Sequence, residues 1–131
     1  MSEITLLKSI VNASTIVSLR SDGIIQIEMN ANKTLQLIDG KQIVNAFAEV
    51  GGGKKYPLLF IAGDFALASP DARKYASGIE ANQYTLASVF VVNNSIQKIM
   101  GNAYITFNKP ITPTKIMTNK ESAIAWLKTF L

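Results

Sequence analysis

The side chains best placed for chemistry follow two apolar segments of strand length. Asp64 comes just after the first, and Asn93, Asn94 and Ser95 come just after the second. Because the carboxyl ends of neighbouring parallel strands meet where α/β proteins place ligands, we expect these side chains to lie together. A carboxylate beside amides and a helix N-terminus offers hydrogen bonds to a polar ligand, or a site for an anion. The alternative, which we favour, is that all four are turn and capping residues.

The composition narrows the chemistry further. The chain of 131 residues has no Cys and no His. It therefore has no thiolate nucleophile, no Ser-His-Asp triad and none of the usual zinc ligands. An enzyme would need Asp64 to work with a Lys or Tyr as an acid–base pair, and no spacing in the sequence demands such a pair. We therefore predict a non-enzymatic protein with no catalytic residue, cofactor or metal site.

Charge and length favour a compact domain with a solvated basic surface. The formal net charge is +4, and 48% of the residues are hydrophobic, which is typical of a globular protein. Among the basic residues, only Lys54-Lys55 and Arg73-Lys74 are adjacent. A nucleic-acid surface would cluster such residues with exposed aromatic side chains, so we expect no nucleic-acid partner. The length predicts a single domain over residues 1–131.

The first residues do not have the pattern of a signal peptide. Within residues 1–8 the apolar stretch is short, and Glu3 and Lys8 flank it. No apolar run in the chain approaches the length needed to span a bilayer. The sequence predicts a soluble cytoplasmic protein that does not insert into membranes.

The first half predicts a hairpin followed by a helix. Residues 15–20 and 23–29 are rich in β-branched side chains, and Asp22-Gly23 at their junction is typical of a hairpin turn. From Asp39, a predicted N-cap with Gln42 three residues later, the apolar residues recur at helical spacing. Three glycines, residues 51–53, end this helix.

The second half alternates buried strands with helices. Residues 56–62 and 86–92 are continuous apolar runs, typical of strands covered on both faces. Ser69 before Pro70 predicts the start of one helix, and residues 93–95 predict the start of the next. Helical spacing predicts that the following side chains face the core: Ala72, Tyr75, Ala76 and Ile79 in the first helix, and Ile96, Ile99, Met100, Ala103 and Phe107 in the second.

The chain ends with a short strand and an amphipathic helix. Pro110 and Pro113 stop the preceding helix, residues 115–117 form the strand, and Thr118 with Glu121 has the spacing of a capping box. Trp126 is out of phase with the apolar face of the last helix, so it is expected at the edge of the core. Aromatic side chains at such edges are frequent in interfaces, which makes Trp126 the first candidate for a contact with a partner.

The predicted fold class is α/β, a mixed and mostly parallel sheet with an N-terminal antiparallel hairpin, about five strands and four helices in all. This order, the strand over residues 58–62 leading to the helix capped by Ser69, and the proline-containing ending over residues 108–127 resemble the STAS superfamily, and within it the SpoIIAA-like group. The ending is similar to that of small, stand-alone bacterial SpoIIAA-like proteins. The resemblance implies a STAS-like fold over nearly the whole chain after Asn12.

The resemblance also implies a regulatory role. STAS domains include anti-sigma factor antagonists, in which a Ser or Thr at the start of the helix after the third strand is phosphorylated. The matching residue is Ser69, but Pro70 follows it where the family has a Gly. A plain capping role for Ser69 is therefore the favoured interpretation.

Two functions are consistent with these observations. The first is a regulatory or protein-interaction module that binds another protein or a second copy of itself as a homodimer. The second is a carrier or sensor that holds a small apolar or anionic ligand between its helices and sheet. An enclosed pocket near Asp64 and Asn94 would favour the second function.

Overall fold

The computed structural model describes residues 3–131. Met1 and Ser2, which open the segment predicted not to be a signal peptide, lie outside the described residues. The strands are β1 Leu6–Val11, β2 Thr15–Arg20, β3 Ile25–Met29, β4 Thr34–Leu35, β5 Tyr56–Ala62, β6 Leu67–Ala68, β7 Thr85–Val91 and β8 Thr114–Met117. The α-helices are α1 Leu37–Gly51, α2 Pro70–Ser77, α3 Ser95–Ala103 and α4 Lys120–Lys128, and a π-helical turn, Tyr104–Asn108, continues α3.

Six strands form one sheet in the order β1-β2-β3-β5-β7-β8. Strands β1, β2 and β3 pair antiparallel, whereas β3, β5, β7 and β8 run parallel to one another. Strands β4 and β6 pair in a separate two-stranded sheet. Each parallel connection passes through a helix, because parallel neighbours need a long crossover. The predicted class, a mostly parallel α/β sheet with an N-terminal antiparallel hairpin, is confirmed.

Strand β1 lies where the sequence predicts no element. It pairs with β2 at the edge of the sheet, with a register shift between Leu6 and Lys8. Leu7 is 63% exposed and Val11 is 75% exposed. An edge strand with so few buried side chains lacks the alternating pattern by which strands are recognised.

The sheet carries helices on both faces. On one face, side chains of β2, β3 and β5 pack against α1 around the buried Phe47, and α2 and α3 lie on the same side. On the other face, Leu59 and Val89 pack against Ala123 and Leu127 of α4. Because both faces of β5 and β7 are covered, their sequences are continuously apolar.

Two helix starts differ from the sequence prediction, and two agree with it. Helix α1 begins after Gln36, and Asp39 accepts a hydrogen bond from the Gln36 backbone N–H at 2.7 Å instead of being the N-cap. Helix α4 is capped by Asn119, not Thr118. Both errors arise because a capping box is a spacing between two residues and does not by itself say which residue opens the helix. Ser69 and Asn94 cap α2 and α3 as predicted.

The predicted buried stripe of α3 is wrong. Ile96, Ile99 and Phe107 are 57%, 67% and 80% exposed, whereas Gln97 and Tyr104 are buried. The helix is therefore rotated by about one residue, roughly 100°, from the orientation that its apolar pattern predicts. The predicted inner stripe of α2 is wrong at its end for a similar reason, since its last member lies beyond the helix and is exposed.

A close approach explains the orientation of α3. A Cβ atom on Gly101 would lie 2.7 Å from the Ile116 side chain, so Gly101 lets the helix backbone rest directly on β8. The next section describes how Gln97 ties the start of the same helix to a neighbouring loop. These contacts place the 97–101–104 face of the helix against the sheet, and the isoleucines turn outward.

Candidate functional site

Polar side chains join the loop after β5 to the start of α3. Because β5 and β7 are neighbours, the loops that follow them meet at the same edge of the sheet. The Asn93 Nδ2 donates a hydrogen bond to the Asp64 Oδ1 at 2.7 Å. Asp64 and Asn93 are both exposed. This hydrogen bond therefore lies on the surface of the junction.

Gln97 is the buried centre of this junction, and the sequence analysis did not single it out. Its Nε2 donates to the carbonyl oxygens of Gly63 at 2.8 Å and Ala66 at 3.1 Å. Its Oε1 accepts from the Asn93 backbone N–H at 3.3 Å. The residue is 4% exposed. We call Gln97, Asn93 and Asp64 the polar latch; the position of Gln97, three residues after the cap of α3, is the capping-box signal that would have found it.

The N-terminus of α3 already has partners within the protein. The Asn94 Oδ1 accepts a hydrogen bond from the Gln97 backbone N–H at 2.9 Å, and the Asn94 Nδ2 donates to the Asn93 Oδ1 at 3.3 Å. Ser95 is the exposed first residue of the helix. The carboxylate of Asp64, held beside them by Asn93, would repel an added anion. This geometry favours turn and capping roles for the group.

Ser69 serves as the cap of α2. Its Oγ accepts a hydrogen bond from the Ala72 backbone N–H at 3.2 Å, and its backbone N–H donates to the Leu35 carbonyl at 2.9 Å. The side chain is half-buried, and Pro70 follows as the first helical residue. Phosphorylation would have to replace this capping contact, and it stays a prediction from the family resemblance.

A cavity of about 160 Å³ lies between the sheet and helices α1, α2 and α3. Its walls are mostly apolar. Small side chains make the room, since six of the lining residues are alanines: Ala62, Ala66, Ala68, Ala72, Ala76 and Ala81. Gln97 of the polar latch lines one end, whereas Asp64, Asn93, Asn94 and Ser95 lie outside the lining. The pocket is thus close to the predicted position but is formed by other residues.

Aromatic rings form the floor of the cavity. Phe60 and Phe90, on neighbouring strands, stack with ring centroids 4.3 Å apart. Tyr104, in the π-helical turn, meets Phe90 edge-on at 6.0 Å. Burial raises the pKa of Tyr104 well above its usual value, so the phenol stays neutral. π-Helical turns often occur at functional sites, and this one places Tyr104 in the cavity wall.

Polar groups lie at several places in the wall. Met100 lines the cavity and is 36% exposed, and Arg73 lines it and is half-buried, so the two mark its mouth. The Oγ1 of Thr85, another lining residue, is buried and has no hydrogen-bond partner within residues 3–131. A buried hydroxyl without a partner is costly, so Thr85 offers a hydrogen bond to an occupant.

Trp126 lies on the opposite face of the sheet from the cavity. Its ring is half-buried at the edge of the α4 core, where it meets Phe130 edge-on at a centroid distance of 4.9 Å. The Lys115 Nζ lies 4.7 Å from the ring centroid, within cation–π range. The predicted position at the edge of the buried face is correct, and a role in an interface stays a prediction.

The sequence pattern reached the polar edge but missed the cavity. The cavity depends on small side chains that come from β5, the loop after it and α2, which are brought together by the tertiary fold. The run of alanines over residues 62–81 is the signal that would have pointed to it. Among residues 3–131, no three acidic side chains are grouped closely enough to hold a metal ion, and no helix has the length and hydropathy of a membrane span.

Comparison with protein families gives one match, to the model described as a domain of unknown function, DUF7793, over residues 17–131. This chain is a member of the DUF7793 family. The match begins in β2 and includes the whole cavity wall and the polar latch. No match was found among proteins with curated descriptions.

Among solved structures, the DUF7793 chain is similar to an uncharacterized protein of the DUF3478 family with a SpoIIAA-like fold from Shewanella loihica PV-4. The TM-score is 0.56 at 14% identity, and the match covers 97% of this chain and 98% of the other. The SpoIIAA-like fold is therefore confirmed. A protein of unknown function from Arthrobacter sp. FB24 aligns at a TM-score of 0.30 and 18% identity, over 85% of this chain and 96% of the other.

Proposed function

We propose that this DUF7793 domain is a non-enzymatic binding module that holds a small, mostly apolar molecule between its sheet and helices α1, α2 and α3. The observation that carries the proposal is the cavity of about 160 Å³. An apolar cavity of about 150 Å³ in another protein accommodates benzene. The volume is thus enough for a molecule with a single aromatic ring or a short acyl chain.

The energetic argument also favours an occupant. Protein interiors pack as densely as organic crystals, and voids larger than a water molecule are few. At roughly 24 cal/mol per Å³, an unfilled cavity of 160 Å³ costs about 4 kcal/mol. This is a large share of the roughly 5–15 kcal/mol by which a domain is stable. A ligand that fills the cavity regains part of this free energy.

Binding of toluene, followed by methyl NMR, tests the proposal. Saturable shifts are expected for methyl groups of lining residues such as Ile43 and Leu58. Methyl groups of Ile24 and Val89, in the core under α4, are the internal control because they lie on the other face of the sheet. Equal shifts in both sets, or no saturable shift, would contradict the proposal.

Matched variants sharpen the test. Ala72 is 5% exposed and lines the cavity, so Ala72→Leu is expected to fill it and abolish toluene binding without loss of fold. Ala125 is exposed on α4, so Ala125→Leu makes the same change away from the cavity and should leave binding intact. If Ala72→Leu proves too large, Ala62→Val is the smaller replacement at a lining position.

A protein-interaction module is the second candidate, and the exposed apolar side of α3 and the π-helical turn favours it. Ile96, Ile99 and Phe107 present large apolar side chains to solvent along one side. Such patches occur at protein interfaces. This function includes the predicted homodimer. Trp126 gives it less support, because the ring already packs on Phe130 and Lys115.

Sedimentation velocity tests the homodimer. A dimer formed through this side should dissociate in the variant Ile99→Ser, whereas Ile4→Ser, which changes an exposed Ile on the other side of the sequence's first strand, should have no effect. A wild-type protein that stays monomeric at every concentration tested would rule out the homodimer.

A further inference from the structure

The cavity wall contains one cation and no carboxylate. Arg73, on α2, is the only Lys or Arg among its lining residues, and Asp and Glu are absent from them. The other polar members of the wall are neutral: Tyr75, Asn82, Thr85, Ser88, Gln97, Tyr104 and Thr114. The wall therefore carries a net positive charge at one place and is apolar over most of its remaining area.

The guanidinium of Arg73 is held in place but uses few of its donors. Its Nη1 donates a hydrogen bond to the Ala68 carbonyl. Within residues 3–131 the ion pairs are those of Asp22 with Arg20 and Lys128, and Arg73 takes part in none. A guanidinium has five N–H donors in a fixed plane. Arg73 thus keeps donors available at the mouth of the cavity, while the bond to Ala68 limits its movement.

We propose that the ligand of this cavity is a small apolar acid, an aromatic or short-chain carboxylate. Its carboxylate meets the guanidinium of Arg73 at the mouth, and its apolar body lies on the stacked rings of Phe60 and Phe90. This inference rests on the proposed ligand-binding function and specifies the chemical class of the ligand. Arginine suits a carboxylate because the planar groups can form two parallel hydrogen bonds.

The remaining wall favours one negative charge over two. The single Arg73 matches one carboxylate, and the phenol of the nearby Tyr104 is neutral and buried. A second acid group would have to enter the apolar part of the cavity, where an unpaired charge is strongly disfavoured. The volume of about 160 Å³ also excludes a long acyl chain unless the helices move apart.

The test compares benzoate with benzamide, which has the same shape and no charge. Both are titrated by NMR into the wild type, Arg73→Met and Lys74→Met. Lys74 is the adjacent, exposed residue on the same helix and lies outside the cavity wall, so its variant makes the same change in net charge as a control. Benzoate is expected to bind the wild type about 10- to 100-fold more tightly than benzamide, as for a hydrogen bond between charged groups.

The variants separate this inference from the proposed function. Arg73→Met should bind both compounds equally, and Lys74→Met should keep the preference for benzoate. Equal binding of benzoate and benzamide to the wild type would overturn the acid assignment while leaving the cavity as a binding site. If neither compound nor toluene binds, the proposed function fails as well. If Arg73→Met does not fold, the ratio of the two affinities in the wild type decides, and Arg73→Lys should retain part of the preference.

Discussion

Replacing Gln97 by leucine tests whether the polar latch holds α3 on the sheet. The Gln97 side chain makes hydrogen bonds to the carbonyls of Gly63 and Ala66 and to the backbone N–H of Asn93, at 2.8, 3.1 and 3.3 Å. Leucine has a similar volume but offers none of these bonds. At about 0.5–1.5 kcal/mol for each bond, the expected loss of unfolding free energy is about 2–4 kcal/mol.

Urea denaturation measures this loss. With a slope of about 2 kcal/mol per molar urea, the midpoint should fall by roughly 1–2 M. The matched control is Gln83→Leu. Gln83 is exposed, and its side chain makes one hydrogen bond, to the Glu80 carbonyl at 2.9 Å. Its replacement should change stability by less than about 0.5 kcal/mol.

A local measurement distinguishes the latch from a general effect on the core. The Ala66 backbone N–H donates to the Gly63 carbonyl at 3.0 Å within the loop that Gln97 holds. In Gln97→Leu, hydrogen exchange at Ala66 should accelerate more than exchange in β2, which lies far from the latch. Equal midpoints for Gln97→Leu and Gln83→Leu, with unchanged exchange at Ala66, would refute the reasoning.

A second replacement at the same position gives a pH dependence. In Gln97→Glu, a carboxylate oxygen faces the carbonyl oxygens of Gly63 and Ala66, so burial and repulsion raise the pKa of the new side chain above its unfolded value of about 4.3. The folded state then binds the proton more tightly than the unfolded state. The destabilisation relative to wild type is therefore full at neutral pH and is relieved as the pH falls through the raised pKa. Urea midpoints at several pH values check this, and a constant difference would contradict it.

Three further predictions follow from single contacts. Burial and then a hydrogen bond and the negative charge of Glu80 raise the pKa of Tyr75 to about 12; the folded state thus loses stability as the pH rises above about 10, the unfolded value, and Tyr75→Phe should reduce this loss in an alkaline denaturation curve. Lys115→Met should shift the fluorescence of Trp126 and cost less than about 1 kcal/mol, since it removes one exposed cation–π contact; an unchanged emission spectrum would show that the contact is not formed. A Cβ on Gly63 would lie 2.6 Å from the Met29 carbonyl oxygen, so Gly63→Ala should lower the thermal midpoint, whereas Gly52→Asn, at a left-handed position with nothing within 4 Å, should be tolerated far better.

The fold class was predictable because it depends on local patterns. The apolar runs that became β5 and β7 are buried on both faces by helices, and continuous burial leaves a continuous apolar sequence. Ser69 and Asn94 cap their helices through contacts only three residues away. Such short-range contacts are visible in the sequence. The polar edge was predictable for a related reason, since neighbouring parallel strands must end at the same side of the sheet.

The orientation of α3 was not predictable from the same patterns. Ile96 and Ile99 have the spacing of a buried stripe, but they face solvent because Gln97 and Gly101 contact the sheet and its loops instead. Periodicity reports which side chains share a face of a helix, and it does not say which face the rest of the protein covers. That choice depends on contacts with residues such as Ala66 and Ile116, which are distant in sequence.

The sequence by itself determined the order of the strands and helices, the caps of α2 and α3 and the lack of His and Cys chemistry. Only the tertiary structure decided that α3 turns its isoleucines outward, that Gln97 closes the edge at which Asp64 lies, and that Arg73 stands at the mouth of an apolar cavity. The physical reason is that a cavity has no sequence pattern of its own. It is the space left when small side chains from separate elements meet, and their meeting is set by long-range packing.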